Sequence, residues 1–96
     1  MKCYFFAQIR ITDEAHYQKY LDRVDKVSAA YKGELLAVDD APEILEGSWN
    51  YTRAVLIRFP SRKDFRQWYN STEYQEILKY RLEAADCDTI VIEGKE

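Results

Sequence analysis

A few side chains in this sequence have the types and spacing to do chemistry. In "LEGSWN", residues 45–50, Glu46 stands just before Trp49. A carboxylate kept dry by an indole has a raised pKa and can act as a general base. The plainer role for Glu46 is a bend residue accepting backbone N–H groups, with Trp49 packing across a subunit contact. His16 is the single histidine. Its unshifted pKa lies near neutrality, which makes it a candidate acid or base, and haem ligation is one further reading. Beside a helix start it is more simply a solvated side chain. "NSTEYQEILKYR", residues 70–81, places Tyr74, Gln75 and Arg81 on one helix just after Tyr69. A guanidinium oriented by phenols is a clamp for a carboxylate. The competing role for Arg81 is to cap carbonyls or to pair with Glu46, Glu73 or Asp86.

The catalytic candidates are therefore Glu46, His16, Tyr69 and Arg81. The ligand-binding candidates are Gln8, Arg10, Trp49, Arg58, Tyr74 and Gln75. No serine or cysteine has a histidine partner in sequence context, so nucleophilic catalysis has little support. No CxxC, HxxxH or HExxH spacing occurs, and neither a metal site nor a cofactor is expected.

These residues must be positioned by regular elements. "CYFFAQIRI", residues 3–11, alternates: Cys3, Phe5, Ala7, Ile9 and Ile11 share one face, and Tyr4, Phe6, Gln8 and Arg10 the other. Period two over this length predicts a strand. Thr12 or Asp13 caps a helix over about 13–31, whose stripe of Tyr17, Tyr20, Leu21, Val24, Val27, Ser28 and Tyr31 is core. Gly33 stands where a left-handed helix end is expected. "ELLAV" (34–38) reads as a strand, resumed at 44–47 after a turn at Pro42. "TRAVLIRF" (52–59) is a strong strand with Arg53, Val55, Ile57 and Phe59 on one face and Thr52, Ala54, Leu56 and Arg58 on the other. Ser61 and Asp64 make a capping box for a short helix carrying Phe65, Trp68 and Tyr69. Asn70 breaks it, and Asn70 or Ser71 caps the next helix. There Tyr74, Ile77, Leu78, Leu82 and Ala85 form the stripe, with Arg81 at its edge. "DTIVIEG" (88–94) is the last strand.

The order β-α-β-β-α-β predicts an α+β fold of ferredoxin-like type, a four-stranded antiparallel sheet with helices on one face, in a single domain over residues 1–96. First and last strands then lie side by side and antiparallel. Cys3 and Cys87 fall at opposite ends, too far apart for a disulfide.

Composition narrows the class. Hydrophobic residues make up 47% of the chain, with only three glycines and two prolines, which excludes disorder. Net charge is −3, and basic residues are scattered. Nucleic acid needs a basic face, so it is not an expected partner. The opening apolar run is interrupted by Gln8 and Arg10, too early for a signal or a membrane span. The expected location is cytoplasmic.

The uncovered sheet face carries Tyr4, Phe6, Ala54 and Leu56 together with Gln8, Arg10 and Arg58. That is too apolar to stay wet and too polar for a dry core. A homodimer with two such sheets face to face resolves both, with a lined cavity between them.

From end to end the chain resembles the bacterial DUF1330 family, a domain of unknown function in the dimeric α/β-barrel superfamily. The resemblance rests on "IRITDEAHYQKY" (9–20), "LEGSW" (45–49), "LIRFPS" (56–61), "WYNSTEYQEILKYR" (68–81) and "IVIEG" (90–94), in this order. Thr72 departs from the family's small residue or proline at a helix start. The resemblance implies a dimeric ferredoxin-like barrel and no established reaction. Looser relatives include cofactor-free monooxygenases, muconolactone isomerases, haem-degrading enzymes and stress-responsive barrel proteins, and fold alone does not choose among them. The expected function is binding of a small, partly apolar or anionic molecule in a cavity formed with the dimer, with proton-transfer or cofactor-free oxygen chemistry as its reaction. The alternative is a dimeric binding or stress-response module without chemistry.

Overall fold

A computed structural model describes residues 1–95. The elements are β1 (Cys3–Ile11), α1 (Glu14–Ala30), β2 (Glu34–Asp39), β3 (Arg53–Phe59), α2 (Arg62–Tyr69), α3 (Thr72–Ala84) and β4 (Ala85–Glu93). The four strands form one antiparallel sheet in the order β2-β3-β1-β4. This is the ferredoxin-like arrangement expected from the sequence. The Cα envelope is only 16 Å along its short axis against 32 and 31 Å along the others. That thickness holds one sheet and one helix layer, with sheet-to-neighbour spacing of about 10 Å, so the helices cover a single face.

The alternation in β1 sets which face. Cys3, Phe5, Ala7 and Ile9 are buried under the helices, joined by Ile57 and Phe59 from β3. α1 adds Tyr17, Tyr20 and Val24, α2 adds Trp68, and α3 adds Tyr74, Ile77 and Leu78. Aromatic rings dominate one end: Trp68 meets Tyr74 at 4.0 Å and Phe5 at 5.3 Å between centroids.

The ends of the helices follow local chemistry. Asp13 caps α1 by accepting from the His16 N–H at 3.0 Å. Ser61 caps α2, accepting from the Asp64 N–H at 3.1 Å. Ser71, not Asn70, caps α3: its hydroxyl accepts from the Tyr74 N–H at 3.1 Å and donates to the Trp68 carbonyl at 2.7 Å. One side chain thus closes α2 and opens α3, which is why the chain turns here without losing the stripe.

Four expectations are corrected. Residues 44–47 do not resume a strand; β2 ends at Asp39, and a loop runs to β3. β4 begins at Ala85, directly after α3, rather than at 88. In α3 the buried positions are Tyr74, Ile77, Leu78, Arg81 and Ala84, while Leu82 is 61% exposed. The repeat i, i+3, i+4, i+7 therefore carries Arg81 inward and Leu82 out. Finally, the left-handed residue after α1 is Lys32 (φ 68°), not Gly33. α1 ends on Tyr31, so Lys32 donates to the Ala29 carbonyl at 3.2 Å and Gly33 to the Ser28 carbonyl at 2.8 Å, a Schellman closure. Gly33 is needed for space instead: a Cβ there would lie 3.0 Å from both the Phe59 ring and the Ser28 carbonyl oxygen.

Both cysteines are free. Cys3 pairs with Glu93 and Cys87 with Ile9, which separates them by six residues of β4, about 20 Å at 3.4 Å per residue.

Two substitutions test the α1 terminus. Lys32→Gly is expected to stabilise the fold by about 1 kcal/mol, the cost of holding a side chain in the left-handed region. The Lys32–Asp64 pair at 3.7 Å, with the lysine side chain 71% exposed, offsets little of that gain. Gly33→Ala is expected to cost about 1–3 kcal/mol through overpacking. Urea denaturation reads both; equal effects of the same sign would contradict this division of roles.

Candidate ligand-binding site

A cavity of about 370 Å³ lies between α1 and the helix-side face of the sheet, within the range of small-molecule sites. Its floor is Phe5, Ala7 and Ile9 of β1 with Val55 and Ile57 of β3. Its opening lies over β2. Leu35 and Val38 pair with Ile57 and Val55, so they point to the helix side, yet remain 48% and 40% exposed. Among the described residues the helices leave most of that edge strand uncovered, and the gap between it and α1 is the mouth.

The polar end is built by α1, α3 and β3. Arg81 comes from α3 and is 2% exposed. Its guanidinium carbon stands 5.6 Å from the Tyr20 ring centroid. Nε and Nη1 are buried without a hydrogen-bond acceptor. Tyr20 and Tyr74 share a buried hydroxyl contact of 2.7 Å. Tyr17 lies in the same wall, between the charges of Arg53 and Arg81. Arg53 donates to Asp40 at 2.9 Å, and its Nε is likewise buried and unpartnered. Ser28 adds a fourth buried atom without a partner, its Oγ.

The charges are unequal. Arg53 has a carboxylate; among the described residues Arg81 has none. Burial works against the Arg81 charge, while the Tyr74 and Tyr20 oxygens and the Cys87 sulfur work for it, and the balance lies upward, keeping the guanidinium a cation. A cation over an aromatic ring gains about 0.5–2 kcal/mol. Burying an unpaired charge costs several kcal/mol. The ring contact alone does not offset the burial. Burial also pushes the Tyr17 phenol up to about 12 and raises Tyr20 and Tyr74. These hydroxyls are neutral at ordinary pH and serve as donors, not bases.

The sequence candidates separate into three groups. Arg81 and Tyr74 meet at the cavity's polar end, with Arg81 lining it and Tyr74 touching it through Tyr20. The expected partners of Arg81, namely Glu46, Glu73 and Asp86, do not pair with it. Gln8, Arg10 and Arg58 lie on the opposite, open face, where Arg10 pairs with Asp86 and Arg58 with Glu34. The cavity within the single chain thus lies on the helix side of the sheet, opposite the face those three share. The remainder are elsewhere. Glu46 is exposed in the β2–β3 loop. Trp49 packs edge-on against Tyr51 at 5.1 Å. His16 packs on Tyr80 at 5.5 Å, with Glu83 3.8 Å from Nε2. Tyr69 belongs to the aromatic cluster with Phe5, Phe65 and Trp68, and Gln75 donates to the Tyr69 carbonyl at 2.6 Å.

Tyr17, Tyr20, Ser28 and Arg53 are site residues that periodicity assigned to core or strand. A signal for them exists: Arg53 is the one charged residue on the apolar face of "TRAVLIRF", and Tyr17, Tyr20 and Ser28 put hydroxyls on an otherwise apolar stripe.

A two-layer ferredoxin-like α+β fold with a cationic pocket between helix and sheet is the class this geometry defines. The chain belongs to the DUF1330 family, a domain of unknown function, whose pattern matches residues 2–95. No curated protein matches it. Among solved structures it is similar to a protein of unknown function from Rhodopseudomonas palustris, 16% identical with a TM-score of 0.83, covering 99% of this chain and 83% of that one. A dimeric ferredoxin-like protein of unknown function from Jannaschia sp. CCS1 is 12% identical with a TM-score of 0.74, covering 98% and 100%. SnoaB, a cofactor-independent oxygenase from Streptomyces nogalater, is 8% identical with a TM-score of 0.73, covering 99% and 94%. At these identities the likeness is one of fold.

Two measurements follow from the buried cation and phenols. Arg81→Met keeps most of the volume and removes an unpaired charge, so it is expected to raise stability by about 1–3 kcal/mol. A loss of that size would mean Arg81 is structural. The three phenols hold their protons more tightly folded than unfolded. They leave stability unchanged below the ordinary tyrosine value of 10 and withdraw it as pH rises toward 12. Alkaline unfolding by circular dichroism should therefore coincide with their tyrosinate absorbance. Ionisation of all three well before unfolding would contradict their burial.

Proposed function

We propose that this chain is a single-domain, homodimeric protein that binds a small, partly apolar acid between α1 and the sheet, with Arg81 facing the acid group. The observation that carries this reading is the Arg81 guanidinium, buried in the cavity wall with two nitrogens lacking acceptors. An anion there supplies the charge that the protein itself leaves out. The apolar floor suits the ligand's body.

Support for the dimer comes from the open sheet face. Phe6 pairs with Leu56 on one side and Ile90 on the other, and Tyr4 pairs with Ile92. Ile90 and Ile92 are 56% and 50% exposed. A contiguous apolar patch of this kind marks an interface, with Gln8, Arg10 and Arg58 as its polar members. Similar solved structures from Jannaschia sp. CCS1 and Thermobifida fusca are described as dimeric. A cytoplasmic setting accords with two free thiols.

Proton-transfer or cofactor-free oxygen chemistry on the bound molecule is the finer reading. SnoaB, of the same fold, is a cofactor-independent oxygenase. The second reading is a binding module without chemistry. What favours it is the cavity lining, whose single carboxylate, Asp25, is exposed.

Native mass spectrometry on gently purified protein tests both parts. The expected species is a dimer carrying a small extra mass. Phe6→Lys or Leu56→Lys should yield monomer, because an unpaired charge would be buried at the interface. Arg81→Met should keep the dimer and lose the extra mass. A wild-type monomer would sink the dimer, and an extra mass undiminished in Arg81→Met would remove Arg81 from the site.

A further inference from the structure

The cavity has a cation and hydroxyl donors at its inner end and no internal base. The Tyr20–Tyr74 pair at 2.7 Å uses one of its two hydroxyl hydrogens between the rings. With Tyr74 donating to Tyr20, the Tyr20 hydrogen, on the cavity lining, is left for an acceptor beside Arg81. Among the described residues the only carboxylate on the lining is the exposed Asp25, while Asp40 is already paired with Arg53 at 2.9 Å, so no acid group neutralises Arg81. The chain as a whole carries −3. A permanent, strongly hydrated anion must shed its full hydration before it reaches the cation. A neutral weak acid enters with less hydration to lose, and it can surrender its proton once the guanidinium is beside it.

Resting on the ligand-binding reading above, we propose that the cavity takes a weak oxygen acid, a phenol or enol, and holds it as its conjugate base, with the oxyanion against Arg81 and the Tyr20–Tyr74 hydroxyl pair and the ring along the floor of β1 and β3. In this step the ligand O–H bond breaks. Its electron pair stays on oxygen, and the proton passes to water at the mouth. The protein contributes electrostatic stabilisation of the oxyanion in a low-dielectric site, which makes the bound ring electron-rich.

The test uses 4-nitrophenol, whose phenolate is yellow and whose phenol is not. Bound to the wild-type protein, its pKa is expected to fall by at least a unit, giving about tenfold more phenolate than free probe at the same low pH. Arg81→Met, with folding checked by its thermal transition, should bind the probe more weakly and, at protein concentrations high enough to saturate it, without that downward shift. 4-Nitrobenzoate should bind more weakly at the same pH. A bound probe with an unchanged or raised pKa, a shift that survives in Arg81→Met, or benzoate binding as tightly as phenol would each overturn the proposal while leaving the cavity reading intact. Absence of saturable binding by either probe would overturn the cavity reading and this inference with it.

Discussion

Tyr20 of α1 and Tyr74 of α3 meet hydroxyl to hydroxyl at 2.7 Å, buried above the sheet. A buried hydroxyl without a partner costs about 1–3 kcal/mol, so neither phenol can leave the other. That constraint sets the spacing of the two long helices. It also places the Tyr20 ring under the Arg81 guanidinium. With α1 held toward α3, most of β2 is left uncovered on its helix side, and the cavity opens there. The tyrosine pair thus governs both the polar end of the site and its entrance. Trp68, tilted at 40° to Tyr74 with centroids 4.0 Å apart, packs against the same ring.

Arg81 is where stability and function diverge. The period of α3 turns this position inward as surely as it does Ile77 and Leu78. An apolar residue there would pack without an electrostatic cost. The chain instead places a charge that no described carboxylate neutralises. Arg53 shows the contrast, since it lies on the same cavity wall but reaches Asp40 near the mouth. One guanidinium thus has a carboxylate and the other has none among the described residues, the contrast on which the proposed anion site rests.

The two faces of the sheet divide the work. The helix face encloses the pocket, and its polar atoms are few and mostly unpartnered. The open face pairs its charges across strands, Arg10 with Asp86 and Arg58 with Glu34, around an apolar centre of Phe6, Leu56 and Ile90. Charges already matched to neighbours are poor ligand holders and good interface borders. In the proposed arrangement, a ligand on the helix face and a partner on the open face would each be accommodated without displacing the other.

Much of this architecture was legible in the residues. Alternation in β1 and β3 identified the covered face, because neighbouring side chains of a strand must point oppositely. Ser61, Asp64 and Ser71 announced the α2–α3 arrangement through cap chemistry that acts within a few residues. Arg81 could be singled out as poorly explained by packing, though its depth could not. Whether α3 buries Arg81 or Leu82 turns on a rotation of the helix, and that is set by what it packs against. The cavity had no local signature at all. It is the gap left where α1 leaves most of β2 uncovered, and a gap is a relation between distant segments, not a property of any one. The sequence by itself therefore determined elements, caps and faces, all products of short-range geometry. Only the tertiary structure decided where the charge lies and where the space is, because both depend on how two helices share one sheet.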